Sequence, residues 1–238
     1  MNQTRTLGTP RLLGIVWPFI AVVLFQALLG GVSLYVLSAV RGYVAGESLW
    51  SKGQKDAIYY LNLYADSRDE AIFLKYQKAM AIPQGGHELR LALNHQPPEI
   101  EAARVAILKG GNHPDDVSSL IWLYLEKAID LWTVGDAYLL QLDDVAREMH
   151  QRVADKQVST ADIWRWKDQI LAINDAVTPA AKAFSDALGE GSRLILRFLL
   201  VTNLATALVL IALALLRTHK LLKQRHEFAN ALQLEKDR

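Results

Sequence analysis

LLGIVWPFIAVVLFQALLGGVSLYVLSAV, residues 12–40, and LILRFLLVTNLATALVLIALALL, residues 194–216, decide how this chain is read. The first stretch carries no charged residue and the second only Arg197. A helix of roughly 20 apolar residues crosses a hydrocarbon core of about 30 Å, and both stretches reach that length. Residues 41–193 between them have an ordinary globular composition. The pattern predicts an all-α chain: two transmembrane helices flanking an extracytoplasmic helical bundle. The expected parts are a cytoplasmic N-terminus (1–11), a first membrane helix (12–40), an external domain (41–193), a second membrane helix (194–216) and a cytoplasmic signalling helix (217–238). That is the layout of a receptor input region.

Charge sets the expected orientation. Arg5 and Arg11 precede the first span with no acid before it, and Arg217, Lys220, Lys223 and Arg225 follow the second. Basic residues near span ends are retained on the cytoplasmic side. Both termini are therefore expected in the cytoplasm of a bacterial inner membrane, with 41–193 periplasmic. That segment holds 17 Lys and Arg against 22 Asp and Glu, a balance of −5, so the overall +1 hides an acidic outside and a basic inside. The first apolar stretch is too long for a signal-peptide core and reads as an uncleaved anchor. Arg197 lies near a span end, where it can snorkel to the interface. The absence of cysteine excludes disulfides and thiolate metal sites.

Helical spacing continues past the first span through Leu49, Trp50, Ala57, Ile58, Leu61 and Tyr64. Ser38, Gly42 and Gly46 put three small residues on one face, the spacing that lets helices approach closely; it is also what a glycine-rich membrane exit gives by chance. Ser67–Glu70 has the form of a capping box, predicting a helix from Arg68 to about Met80 that Pro83, Gly85 and Gly86 end. Short helices are expected over His87–Leu93 and Pro98–Lys109, the latter capped by Gly110 and Gly111. A long helix is expected from Pro114 to about Asp155, and another from the Ser159–Asp162 start signal, with Thr178–Pro179 as a possible kink. Alternating strand patterns are missing.

The most distinctive short string is Gly110-Gly111-Asn112-His113-Pro114-Asp115-Asp116. It reads as a tight turn and helix start with Asn112 or His113 as the cap; a ligand carboxylate or phosphate on free backbone N–H groups, or a metal at His113 and the two aspartates, are the alternatives. His87, His95 and His113 match no zinc spacing. The tryptophans Trp50, Trp122, Trp132, Trp164 and Trp166 are at helical spacing, which suits a core, a small-molecule pocket or a cation cage. No phosphate loop, nucleophile elbow, HExxH or kinase set occurs. The basic run after Leu216 sits beside a span, which favours lipid contact over nucleic acid.

Glu47-Ser48-Leu49-Trp50-Ser51-Lys52, followed by Gln54-Lys55-Asp56-Ala57, resembles the helical sensor region of membrane-bound bacterial signalling proteins. So does the Gly110–Asp116 string followed by Ile121-Trp122. In that family the sensor precedes PAS, GGDEF and EAL domains, which sense, make and degrade cyclic di-GMP. The closing Leu234-Glu235-Lys236-Asp237-Arg238 is similar to the linker that commonly opens the PAS domain there, and the chain ends in helix-friendly sequence, as one continuing into an output domain would. The resemblance covers roughly residues 46–146 plus the tail, and carries over no ligand residues. No GGDEF, EAL or PAS sequence occurs here, so cyclase or phosphodiesterase activity would belong to a longer parent and this chain is expected not to be an enzyme.

The expectation is an input region, dimeric, without cofactor, metal or nucleic acid, whose partners are the bilayer, a second copy and a small-molecule or protein signal. Signal contact is assigned to Trp50, Asn112, His113, Asp115, Asp116 and Trp122. The alternatives are a histidine-kinase or chemoreceptor input, although the tail lacks a proline-containing HAMP pattern, and a stand-alone membrane scaffold binding a protein partner.

Overall fold

The computed structural model describes residues 9–113 and 126–236, and 92% of the described residues are helical, with no strand among them. In chain order the helices are α1 (Thr9–Ser67), α2 (Glu70–Asn94), α3 (Ile100–Lys109), α4 (Glu126–Ala154) and α5 (Thr160–Lys236). The chain divides into two compact units, one of residues 1–35 and 195–238 and the other of residues 36–194.

In the first unit, α1 and α5 are each long and apolar enough to cross a membrane. Their most apolar windows have mean hydropathies of 2.2 and 2.5 and are 0% buried. Trp17, Leu28, Phe198 and Leu208 are all at least 60% exposed, more contiguous apolar surface than water tolerates. One polar cluster interrupts this surface. Asn203 Nδ2 donates to Ser33 Oγ at 2.7 Å and to the Leu199 carbonyl at 2.8 Å, and Gln26 Nε2 donates to the Asn203 carbonyl at 3.5 Å.

Residues 36–40, expected within the first span, group with the second unit, where Ala39 and Val40 are buried. There α1 and α2 run antiparallel. Trp50 adjoins Gly86 at one end, and Tyr64 meets Phe73 at 4.9 Å at the other. α4 runs with α1, since Gly135 adjoins Trp50 while His150 reaches Tyr64. α5 runs against both, with Phe184 beside Trp50 and Trp132, and Lys167 on Asp66 at 2.6 Å. The short α3 lies against α2. Ala57, Leu61, Leu142, Ala146, Met149, Trp166 and Val177 are fully or almost fully buried in the core between them.

The helix ends follow local chemistry. α1 stops where Arg68 takes a left-handed conformation (φ 53°) and its N–H donates to the Tyr64 carbonyl. That leaves Asp69, not Ser67, in the extended geometry of an N-cap, and Asp69 accepts from the Ala71 N–H at 2.9 Å. The capping box expected at Ser67–Glu70 is therefore replaced by an aspartate cap two residues on, because Ser67 still belongs to α1. At the end of α3 the N–H of Gly111 donates to the Leu108 carbonyl and that of Asn112 to the Ile107 carbonyl. With Gly111 left-handed at φ 81°, this is a Schellman closure. The α5 start is a reciprocal box: Asp162 accepts from Ser159 N and Oγ, and Ser159 Oγ accepts from Asp162 N. Those bonds hold the Asp162 carboxyl below the ordinary aspartate range.

The main departure from expectation is α2, which runs unbroken through Pro83, Gly85 and Gly86 instead of ending there. A proline inside a helix costs about 3 kcal/mol and a glycine about 1, so tertiary contact must offset both. Pro83 has no N–H for the Ala79 carbonyl, and α1 approaches that carbonyl at Gly53, where an added Cβ would lie 3.0 Å from it. At Gly85 an added Cβ would lie 2.4 Å from Gly110 N and 2.8 Å from the Ala106 carbonyl. Gly85 thus brings the helix into backbone contact with the end of α3, and Gly86 leaves room for the Trp132 and Trp50 rings. Gly85→Ala is expected to cost about 1–3 kcal/mol by overpacking, read as a lower Tm of the full chain in micelles. Gly30→Ala, with nothing within 4 Å of the added methyl, is expected to leave Tm unchanged or higher.

Candidate functional site

Within the second unit a small cavity lies among all five helices, with about 50 Å³ of space open to the centre of a water-sized molecule. Its wall includes Glu47 and Trp50 from α1, Gly86 from α2, Trp132 from α4, Phe184 from α5 and Asn112 just beyond α3. The Trp132 and Phe184 rings stack at 5.6 Å and 22°, and Trp50 meets Phe184 edge-on at 6.0 Å and 79°. Glycines make room for this aromatic group. A Cβ at Gly86 would lie 2.9 Å from the Trp132 ring and one at Gly135 would lie 2.8 Å from the Trp50 ring. Gly42 and Gly46, the small-residue face noted in the sequence, open the α1 side, and the Asn112 amide lies 3.3 Å from where a Gly46 Cβ would be.

Polar groups in the wall are few. Glu47 accepts from Ser51 Oγ at 2.8 Å, and among the described residues no Lys, Arg or His lines the cavity. Trp50 is only 3% exposed, and its indole N–H has no acceptor among the described residues. The arrangement suits binding of a small, largely apolar molecule.

One turn along α2 and α4 from Gly86 and Trp132 lies a buried ionic cluster. Asp136 Oδ2 accepts from Arg90 Nε at 2.9 Å and lies 3.0 Å from His87 Nδ1. Burial pushes the Asp136 carboxyl above the ordinary aspartate range, against the opposing pull of the hydrogen bonds from His87 and Arg90 and of their charges.

At the far end of the core, Tyr64 Oη pairs with His150 Nδ1 at 3.1 Å, and Tyr76 donates to Asp143 at 3.0 Å. Burial, helped by the Glu70 charge, pushes the Tyr64 phenol from 10.0 up to about 12; burial and Asp143 push Tyr76 up as well. The unfolded chain releases these protons near pH 10 while the fold retains them. The stability they contribute is therefore complete below pH 10 and is lost as pH rises towards 12. Helicity is expected to fall across that window, and Tyr64→Phe should move the fall to higher pH.

Of the residues assigned to signal contact, Trp50 and Asn112 come together on this cavity, and the Asn112 backbone N–H helps to close α3; the helix start expected after it lies outside the described residues. His113 follows it, exposed. Asp115, Asp116 and Trp122 lie outside the described residues. His87 belongs to the Asp136 cluster, and His95 pairs with Glu99 at 3.4 Å. Glu47, Trp132 and Phe184 in the wall, and the Arg90–Asp136 pair, were not singled out as site residues. The spacing Gly42, Gly46 with Glu47 and Trp50 on the next turn was the available signal.

No family model, curated protein or solved structure matches this chain.

Proposed function

We propose that this chain is the input and membrane-spanning region of a bacterial signal transducer. In this reading residues 41–193 form a periplasmic bundle that receives a small-molecule or protein signal. A cytoplasmic output receives it from α5; the sequence resemblance supports PAS–GGDEF–EAL turnover of cyclic di-GMP in a longer parent as that output. The chain performs no catalytic step itself and works as a homodimer in the inner membrane, with both termini cytoplasmic.

The observation that carries the reading is the aromatic cavity in the segment between the two apolar helices. α1 and α5 supply its wall through Trp50 and Phe184 and also supply the apolar unit. A ligand that favours one of two packings of the cavity helices shifts their equilibrium by its differential affinity, typically about 1–3 kcal/mol of coupling.

Two measurements test it. Alkaline phosphatase fused after Gly111 is expected to be active, and an inactive fusion there would remove the periplasmic assignment. Joined to a diguanylate cyclase reporter, the chain is expected to change cyclic di-GMP output when Trp132→Leu alters the cavity; output unaffected by a folded variant would leave a stand-alone scaffold as the better description.

A further inference from the structure

Among the described residues the cavity wall combines four aromatic rings, those of Tyr43, Trp50, Trp132 and Phe184, with a single carboxylate, Glu47. We infer that its ligand is a small organic ammonium cation with apolar substituents, held by the rings of Trp50, Trp132 and Phe184 with Glu47 as counter-charge. The inference rests on reading this cavity as the sensory site, and its binding test is independent of any output.

Among the described residues, no basic side chain pairs with Glu47; the Ser51 hydroxyl is its recorded partner. The bases near it in sequence, Arg41 and Lys52, are exposed, and helical geometry puts them roughly 120–140° around α1 from Glu47. A half-buried carboxylate beside an apolar recess without a cation favours a ligand that brings one.

The rings supply the second part. Indole faces attract cations more strongly than other aromatic side chains, by about 0.5–1 kcal/mol when exposed and about 2 or more when desolvated. Here two indoles and a phenyl are held against one another, so a substituted ammonium gains both apolar burial and ring attraction. An inorganic cation, which is costly to dehydrate, gains less. A choline-like outline fits the carboxylate and the rings together.

The test is calorimetric titration of the full chain in maltoside micelles with choline and with its neutral carbon isostere, 3,3-dimethylbutan-1-ol. Choline is expected to bind one per chain and at least tenfold more tightly than the isostere. Glu47→Gln, which keeps an acceptor for Ser51, is expected to erase that preference while the isostere's affinity stays constant. Glu101→Gln, at an exposed acid away from the cavity, should change neither.

Equal binding of choline and isostere by the unaltered chain would overturn the inference, as would a cation preference that survives Glu47→Gln. Absence of choline binding would overturn it too. Binding as expected, with a silent cyclase reporter, would keep the ligand class and reject the sensory reading. A reporter that responds to cavity variants without choline binding would do the reverse.

Discussion

Asp136→Ala is expected to lower the unfolding free energy by about 3–5 kcal/mol, the usual result of leaving one member of a buried ion pair alone. Arg90 is 8% exposed and Asp136 2%. Without the carboxylate, the Arg90 guanidinium would keep, among the described residues, the neighbouring His87 ring, 3.2 Å from its Nη2. For a unit of this size the loss corresponds to a Tm drop of roughly 6–20 °C, measurable by thermal unfolding of the full chain in micelles. The pair itself is a poor source of stability, because desolvation offsets most of its attraction; the raised Asp136 carboxyl expresses that balance. Hence the double variant Arg90→Met with Asp136→Leu should recover most of the loss. A double variant as unstable as Asp136→Ala alone would mean that the ionic cluster stabilises the fold outright.

Trp50→Ala is expected to cost a similar amount, about 3–5 kcal/mol, as a large aromatic is removed from a packed site. Its ring fills the space left over Gly86 and Gly135, two neighbours without side chains. Trp164→Ala makes the contrast. Trp164 is 65% exposed on α5, and its loss should fall within about 0.5 kcal/mol. Comparable losses for the two variants would contradict the packing described for α1 and α4.

Those two tryptophans also mark how far the sequence could be read. Period and hydropathy made α1 and α5 legible as long helices with apolar ends, since both signals are local. The Ser159–Asp162 start and the Gly110–Gly111 stop were legible for the same reason: each is closed by bonds within a few residues. α2 was misread because proline and two glycines are strong local breakers, while what keeps it helical is contact with Gly53 and Gly110, distant in sequence. The Ser67–Glu70 cap was displaced because α1 runs to Ser67, a boundary set by the preceding helix and not by the motif. In the cavity, Trp50 and Asn112 were found as isolated distinctive residues. Trp132, Phe184 and Glu47 become site residues only once the five helices are packed, and no spacing along the chain encodes that.

The Asn203 cluster sets the register of the two apolar helices. Its amide bridges to Ser33, and Gln26 reaches its carbonyl, so sliding either helix by one turn would break both contacts together. Hydrogen bonds of this kind between membrane helices average about 0.6 kcal/mol each, so the cluster holds its position against thermal jostling by only about 1–2 kcal/mol. That makes it a shallow detent. The step over it is comparable with the coupling of about 1–3 kcal/mol typical of linked sites, so the two helices are held in register without being locked there.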